Sequence, residues 1–166
     1  MKSILILSLT LLISCGGRES GSSSTGSQGS LQELQDDQLI NAQEVQLIEL
    51  VNSHRFEKGL AELKFHKMTI LESQNHTTYM AQEINRLTHN GFSDRVDRIR
   101  DEEEGFISRS GENIAYNSTL EKAHNALLNS YGHRKNIEGD YTHIGVGVET
   151  NSQGRLFVTQ IFIKIK

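Results

Sequence analysis

The feature that most constrains this chain is a change of period at its C-terminal end. Ile144, Val146 and Val148 alternate with His143, Gly145, Gly147 and Glu149. On an extended strand that alternation gives one apolar face and one face carrying an imidazole beside two missing side chains. Asn151-Ser152-Gln153-Gly154 supplies a turn, and residues 155–166 are rich in Val, Ile and Phe, so the segment predicts an antiparallel hairpin. Lys164 and Lys166 guard its end, where charge discourages pairing with another strand.

Upstream the period is helical. Asn41 with Glu44 three positions on is a capping-box start, followed by Val45, Leu47, Ile48, Leu50 and Val51, with Gly59 as a stop. A second helical run over roughly 67–88 carries His76, Met80, Ile84 and Leu87 on one stripe. Ser118 with Glu121 forms another capping box, opening a short helix through Leu127 and Leu128 that ends at Gly132. Residues 106–116 predict one more strand. Helices with a mostly antiparallel sheet and no βαβ alternation give an α+β layered domain.

The N-terminal end is an address. Met1-Lys2 is followed by a run of Leu, Ile and Ser to residue 14. As helix, that run spans about 18 Å, short of the roughly 30 Å of a bilayer core, so it reads as a secretory signal. Leu12-Ile13-Ser14-Cys15 resembles the bacterial lipobox. That resemblance implies cleavage before Cys15 and lipid on its sulfur, and two or three acyl chains would make a lasting anchor. Residues 16–30 hold five Gly and six Ser, too polar to pack. The expected organisation is therefore a signal over 1–14, a lipidated cysteine and tether over 15–40, and a folded domain over 41–166.

Composition closes several alternatives. Seventeen Lys and Arg against 21 Asp and Glu give a net charge of −4, with no basic run, which argues against nucleic acid. Cys15 is the sole cysteine, which leaves no intrachain disulfide framework and no Cys-rich zinc site. There is no proline, so Gly, Asn and Ser shape the loops.

Three segments place polar groups where glycine fixes the backbone: Thr88-His89-Asn90-Gly91-Phe92-Ser93-Asp94-Arg95, Gly111-Glu112-Asn113-Ile114-Ala115, and Gly132-His133-Arg134-Lys135-Asn136-Ile137, the last leading into Tyr141 to Gly147. With Asn52 and Arg55 of the opening helix followed by Gly59-Leu60 and Leu63, this ordered set resembles the CAP superfamily of cysteine-rich secretory, antigen 5 and pathogenesis-related group 1 proteins, and within it the bacterial SCP branch. The resemblance implies a three-layer α-β-α sandwich with a central antiparallel sheet and a solvent-filled cleft holding two His and two Glu, which bind divalent metal such as zinc in some members. His89 matches the first His and Glu112 the first Glu. The helix Trp and second Glu are replaced by Leu127 and Ser130, and at the second His stands Asp140, with His143 three residues later.

The residues themselves leave choices open. His143 beside Gly145 and Gly147 is either the floor of a shallow groove or a structural histidine under a packed helix. Glu112 can orient a His or a cation, or pin loop amides. His89 is a ligand or proton carrier, or a helix cap. His133 and Arg134 read as locking the loop that borders the groove. The candidate cleft is thus His89, Glu112, His133, Arg134, His143 and Gly145, with His89, Glu112 and His143 as catalytic candidates and His89 and His143 as metal ligands. No Ser or Cys nucleophile accompanies them, and the missing second Glu and helix Trp favour a binding module for a lipid, peptide, glycan or envelope or host protein over a metal-assisted or His/Glu-dependent hydrolase. The expected location is the bacterial envelope, lipid-anchored at an outer membrane or cell surface.

Overall fold

A computed structural model describes residues 39–166; the signal, Cys15 and most of the tether lie outside the described residues. The chain runs α1 (Ala42–Glu57), β1 (Lys64–Phe65), α2 (Lys67–Thr78), a π-helical turn (Tyr79–Ile84), α3 (Phe92–Asp101), β2 (Ile107–Asn117), α4 (Leu120–Asn129), α5 (Tyr131–Ile137), β3 (His143–Thr150) and β4 (Leu156–Ile165). The four strands form one sheet in the order β1-β3-β4-β2. Its three long strands are antiparallel, as expected; β1, too short to show in the sequence, adds a parallel edge to β3.

Helices cover both faces, giving the α-β-α sandwich. On one side Ile144, Val146, Val148, Val158 and Phe162 pack with Leu47, Ile48 and Val51 of α1 and Ala123 and Leu127 of α4. On the other, Ile161 and Ile163 meet Ile99 of α3, and Phe157 meets Met80. Each such fully buried side chain contributes about 1.5–3 kcal/mol. Leu39 and Ile40 join the first core, so packing starts just before the predicted domain boundary.

The capping box of α1 forms as expected, with Asn41 accepting from the backbone of Glu44 and Glu44 accepting from that of Asn41. Asn52 and Arg55 act as clasps. Asn52 makes a two-way pair with the backbone of Leu63, and Arg55 donates to the carbonyls of Ala61, Ile137 and Gly139.

Three local expectations are corrected. The second helix stops before Leu87, because its π-helical turn runs into Asn85, whose φ of 49° reverses the chain. Thr119, not Ser118, caps α4, accepting from the Lys122 backbone. The break after α4 falls at Ser130, whose extended backbone starts α5, so Gly132 lies inside a helix instead of ending one.

The two strand glycines are also resolved. A Cβ on Gly145 would lie 2.2 Å from the Thr69 carbonyl carbon, and one on Gly147 would lie 2.5 Å from the Ser73 carbonyl oxygen. They are the seat of α2, so this face is filled by a packed helix and is not an open groove. His143 beside them is buried under that helix.

Candidate functional site

The site begins with the chain reversal at Asn85, which turns the polypeptide back toward the sheet. His76 of α2 donates from Nε2 to the Thr88 carbonyl at 2.8 Å, and the Asn90 backbone donates to the Thr88 hydroxyl. Arg95 of α3 donates to the Asn90 carbonyl at 3.0 Å. Two helices thus pin the loop over 88–91, and Gly91, with φ of 75°, lets α3 start immediately after it. The loop carries His89 to the edge strand β2.

There His89 Nδ1 meets Glu112 Oε1 at 2.8 Å, while Arg95 reaches Glu112 Oε2 from Nε at 3.1 Å and Nη2 at 2.6 Å. Burial is graded along this chain: the side chains of Glu112 and Arg95 are 1% and 6% exposed and that of His89 is 55% exposed. A carboxylate only accepts, so the proton of the pair sits on His89 Nδ1, leaving Nε2 as the ring's other polar atom. The result is an oriented, half-exposed imidazole backed by a buried ion pair.

Glu112 is held from behind by a second network. Asn136 of α5 donates to the Glu112 carbonyl and to Asn113 Oδ1, and Asn113 donates to the His133 carbonyl and to Gln160. Gly111 leaves room for this network, because a Cβ there would lie 2.5 Å from the Tyr141 hydroxyl oxygen and force that side chain to move. These contacts dock α5 on the sheet and bring His133 into the electrostatic range of His89. Burial lowers the pKa of His133, and the charge of His89 lowers it further. His76 is lowered by burial first and then by Arg95. A hollow of about 360 Å³ adjoins the loop, lined in part by Glu72, His76, Tyr79, Asn90 and Arg95.

The structure therefore sorts the predicted residues. His89 meets Glu112, and His133 lies within electrostatic range of His89. Arg134 donates to the Leu128 carbonyl at 2.6 Å and faces away, toward a different hollow. His143 does not join them. It stands two strands and two residues from Glu112, roughly 12 Å between Cα atoms at about 4.8 Å per strand and 3.3 Å per residue. Its ring is edge-on to His66 at 6.1 Å, and burial pushes its pKa down to about 4. Gly145 lies under α2. Leu127 and Ser130, at the positions of the missing Trp and Glu, are a core residue and a helix boundary.

Arg95 is the residue that the sequence reading passed over. It shares the apolar face of α3 with Val96 and Ile99, and an arginine on such a face signals a buried counter-ion. His76, read as stripe packing, is buried but also clasps the loop over 88–91.

A divalent cation requires several donors converging on one point. Among the described residues no three His, Cys, Asp or Glu side chains are grouped to hold one, and both Glu112 oxygens are already engaged. The donors present do not fit such an ion.

Residues 48–162 match the profile of the cysteine-rich secretory protein family, CAP. An uncharacterized membrane protein of Bacillus subtilis, YlbC, is 39% identical over 126 residues, covering 73% of this chain and 34% of its own length. A second uncharacterized protein of that organism, YkwD, is 33% identical over 118 residues, covering 68% of this chain and 45% of its own. The chain thus spans less than half the length of either relative. Among solved structures, an extracellular SCP-domain protein of Bacillus anthracis superposes with a TM-score of 0.65 at 30% identity, covering 82% of this chain and 45% of that one. An outer surface protein of Borrelia burgdorferi superposes with a TM-score of 0.66 at 20% identity, covering 76% and 97%.

Proposed function

The chain belongs to the cysteine-rich secretory protein (CAP) family, and we propose that it is a membrane-tethered, extracytoplasmic binding module. The tether is the lipidated Cys15 with the Gly/Ser-rich segment behind it, and the binding element is the exposed His89 edge on the 88–91 loop, beside a hollow that Asn90 and Gly91 help to line. Relatives support the location: one is a membrane protein and another is extracellular. The ligand is a lipid, peptide or glycan of the envelope or its surroundings.

The observation that carries the reading is the His89–Glu112–Arg95 chain. Its buried end is fully engaged and its exposed end presents one oriented imidazole edge. Such an arrangement holds a polar ligand group at a fixed point, and it withholds the carboxylate from attacking or abstracting. To test it, the intact lipoprotein is purified in detergent, extracted, and its co-purifying small molecules are identified by mass analysis. A stoichiometric ligand lost in His89→Ala supports the proposal; an empty protein in repeated preparations, wild type and variant alike, counts against it.

One observation favours a second reading. A half-exposed His whose Nδ1 is fixed by a carboxylate is also how a general base is oriented. A hydrolase of this kind would lose activity in His89→Ala on an ester or peptide panel. Equal turnover by wild type and variant would remove it.

A further inference from the structure

We infer that the opposite side of α5 forms a second, separate site that takes a phosphate ester. Tyr131, Arg134 and Lys135 fall at i, i+3 and i+4 on α5 and share one face of that helix, and Glu138, its C-cap, continues the face at i+7. That face meets Arg109 of β2 across a hollow of about 360 Å³ closed by Gly139. The hollow is distinct from the one beside His76 and Arg95, with no lining residue in common.

Three cations line it, on a chain whose net charge is −4. Among the described residues, Arg109, Arg134 and Lys135 have no acidic partner within ion-pair distance, although Asp140 lies near enough that the charge of Arg109, after the bond from Lys164, lowers its carboxyl pKa. Glu138, the one acid in the wall, is held by His54 at 2.9 Å, and Asp140 just beyond is held by Lys164. Three cations against the single carboxylate of Glu138 leave the lining of the hollow net positive.

The fold also aims these groups. The β2–β4 register shifts between Ile107 and Arg109, a bulge of the kind that redirects a side chain. The Arg109 guanidinium then lies 5.2 Å from the centre of the Tyr141 ring, which holds it toward the hollow without neutralising it. Arg134 is steadied by its bond to the Leu128 carbonyl. Tyr131, 73% exposed, offers a flat face and a hydroxyl at the rim. Two guanidinium groups, an ammonium and a phenol around a small open hollow suit a tetrahedral dianion or diester better than a single carboxylate charge. The aromatic rim suits an organic substituent on that phosphate.

The test is titration calorimetry on the full lipidated chain in neutral detergent, with three probes: inorganic phosphate, phenyl phosphate, and vesicles of phosphatidylglycerol in phosphatidylcholine. Saturable binding of phenyl phosphate, tighter than inorganic phosphate, assigns a soluble ester. Binding to the anionic vesicles alone, above pure phosphatidylcholine, assigns a lipid headgroup. In either case Lys135→Gln and Arg109→Gln each weaken binding about ten-fold, the scale of one charge-assisted hydrogen bond. Lys135→Gln alters only an exposed side chain, so it stays informative if Arg109→Gln perturbs folding. Tyr131→Leu abolishes the preference for phenyl over inorganic phosphate. The inference is overturned if no probe binds saturably, or if Lys135→Gln binds every probe as wild type does. His89→Ala leaves this binding intact, so its outcome is separable from that of the proposed cleft.

Discussion

Replacing Glu112 with Gln tests the physical basis of the candidate site. The Glu112 side chain is 1% exposed and its Arg95 partner 6% exposed, so neither charge has water to fall back on. Glu112→Gln keeps the shape and leaves a buried guanidinium without its counter-charge, a change that costs about 3–5 kcal/mol. At about 2.1 cal/mol/K per residue, a domain of roughly 126 residues has an unfolding entropy of about 0.27 kcal/mol/K, so the midpoint should fall by about 11–19 °C. The assay is thermal unfolding followed by circular dichroism at pH 7. Arg95→Met should cost a similar amount by stranding the carboxylate. Glu112→Gln with Arg95→Met removes both charges, and the double variant should be at least about 2 kcal/mol more stable than the sum of the single costs predicts. His89→Ala should cost less than about 1 kcal/mol, because its side chain is 55% exposed and such pairs contribute little. A drop below about 4 °C for Glu112→Gln, or simple additivity in the double variant, would refute the reasoning.

Two further outcomes follow from buried residues outside the site. Burial holds the pKa of His124 down at about 4, with the charge of His54 acting the same way, and its Nδ1 is buried without a partner among the described residues. Between that value and the roughly 6.5 of an unfolded histidine, the unfolded state binds more protons, so stability falls as pH falls through this window. His124→Leu should therefore unfold at higher denaturant than wild type at pH 5, by about 2 kcal/mol, with a smaller difference at pH 7.5; a pH-independent difference would contradict it. Gly145→Ala places a methyl 2.2 Å from the backbone of α2. It should cost at least about 1–3 kcal/mol in urea unfolding, and a variant within about 0.5 kcal/mol of wild type would show that α2 is not seated as described.

The sequence by itself determined the elements whose cause is local. The β3–β4 hairpin follows from alternation and a four-residue turn, β2 was placed within a residue at each end, and α1 follows from its capping box and apolar spacing. His89 and Glu112 were also legible, because glycines beside them mark fixed backbone. What the sequence left undecided depended on what packs against what. Alternation says that Gly145 and His143 share a face, but only tertiary structure says that α2 fills it. α3 is short and mostly charged, so its three buried positions, Arg95, Val96 and Ile99, are a weak local signal. Which imidazole accompanies His89 was settled by the docking of α5, which brings His133 near and leaves His143 roughly 12 Å from Glu112. Periodicity and caps are written in neighbours a few residues apart. A charge pair such as Arg95–Glu112 exists only once distant segments close, and no local pattern encodes that distance.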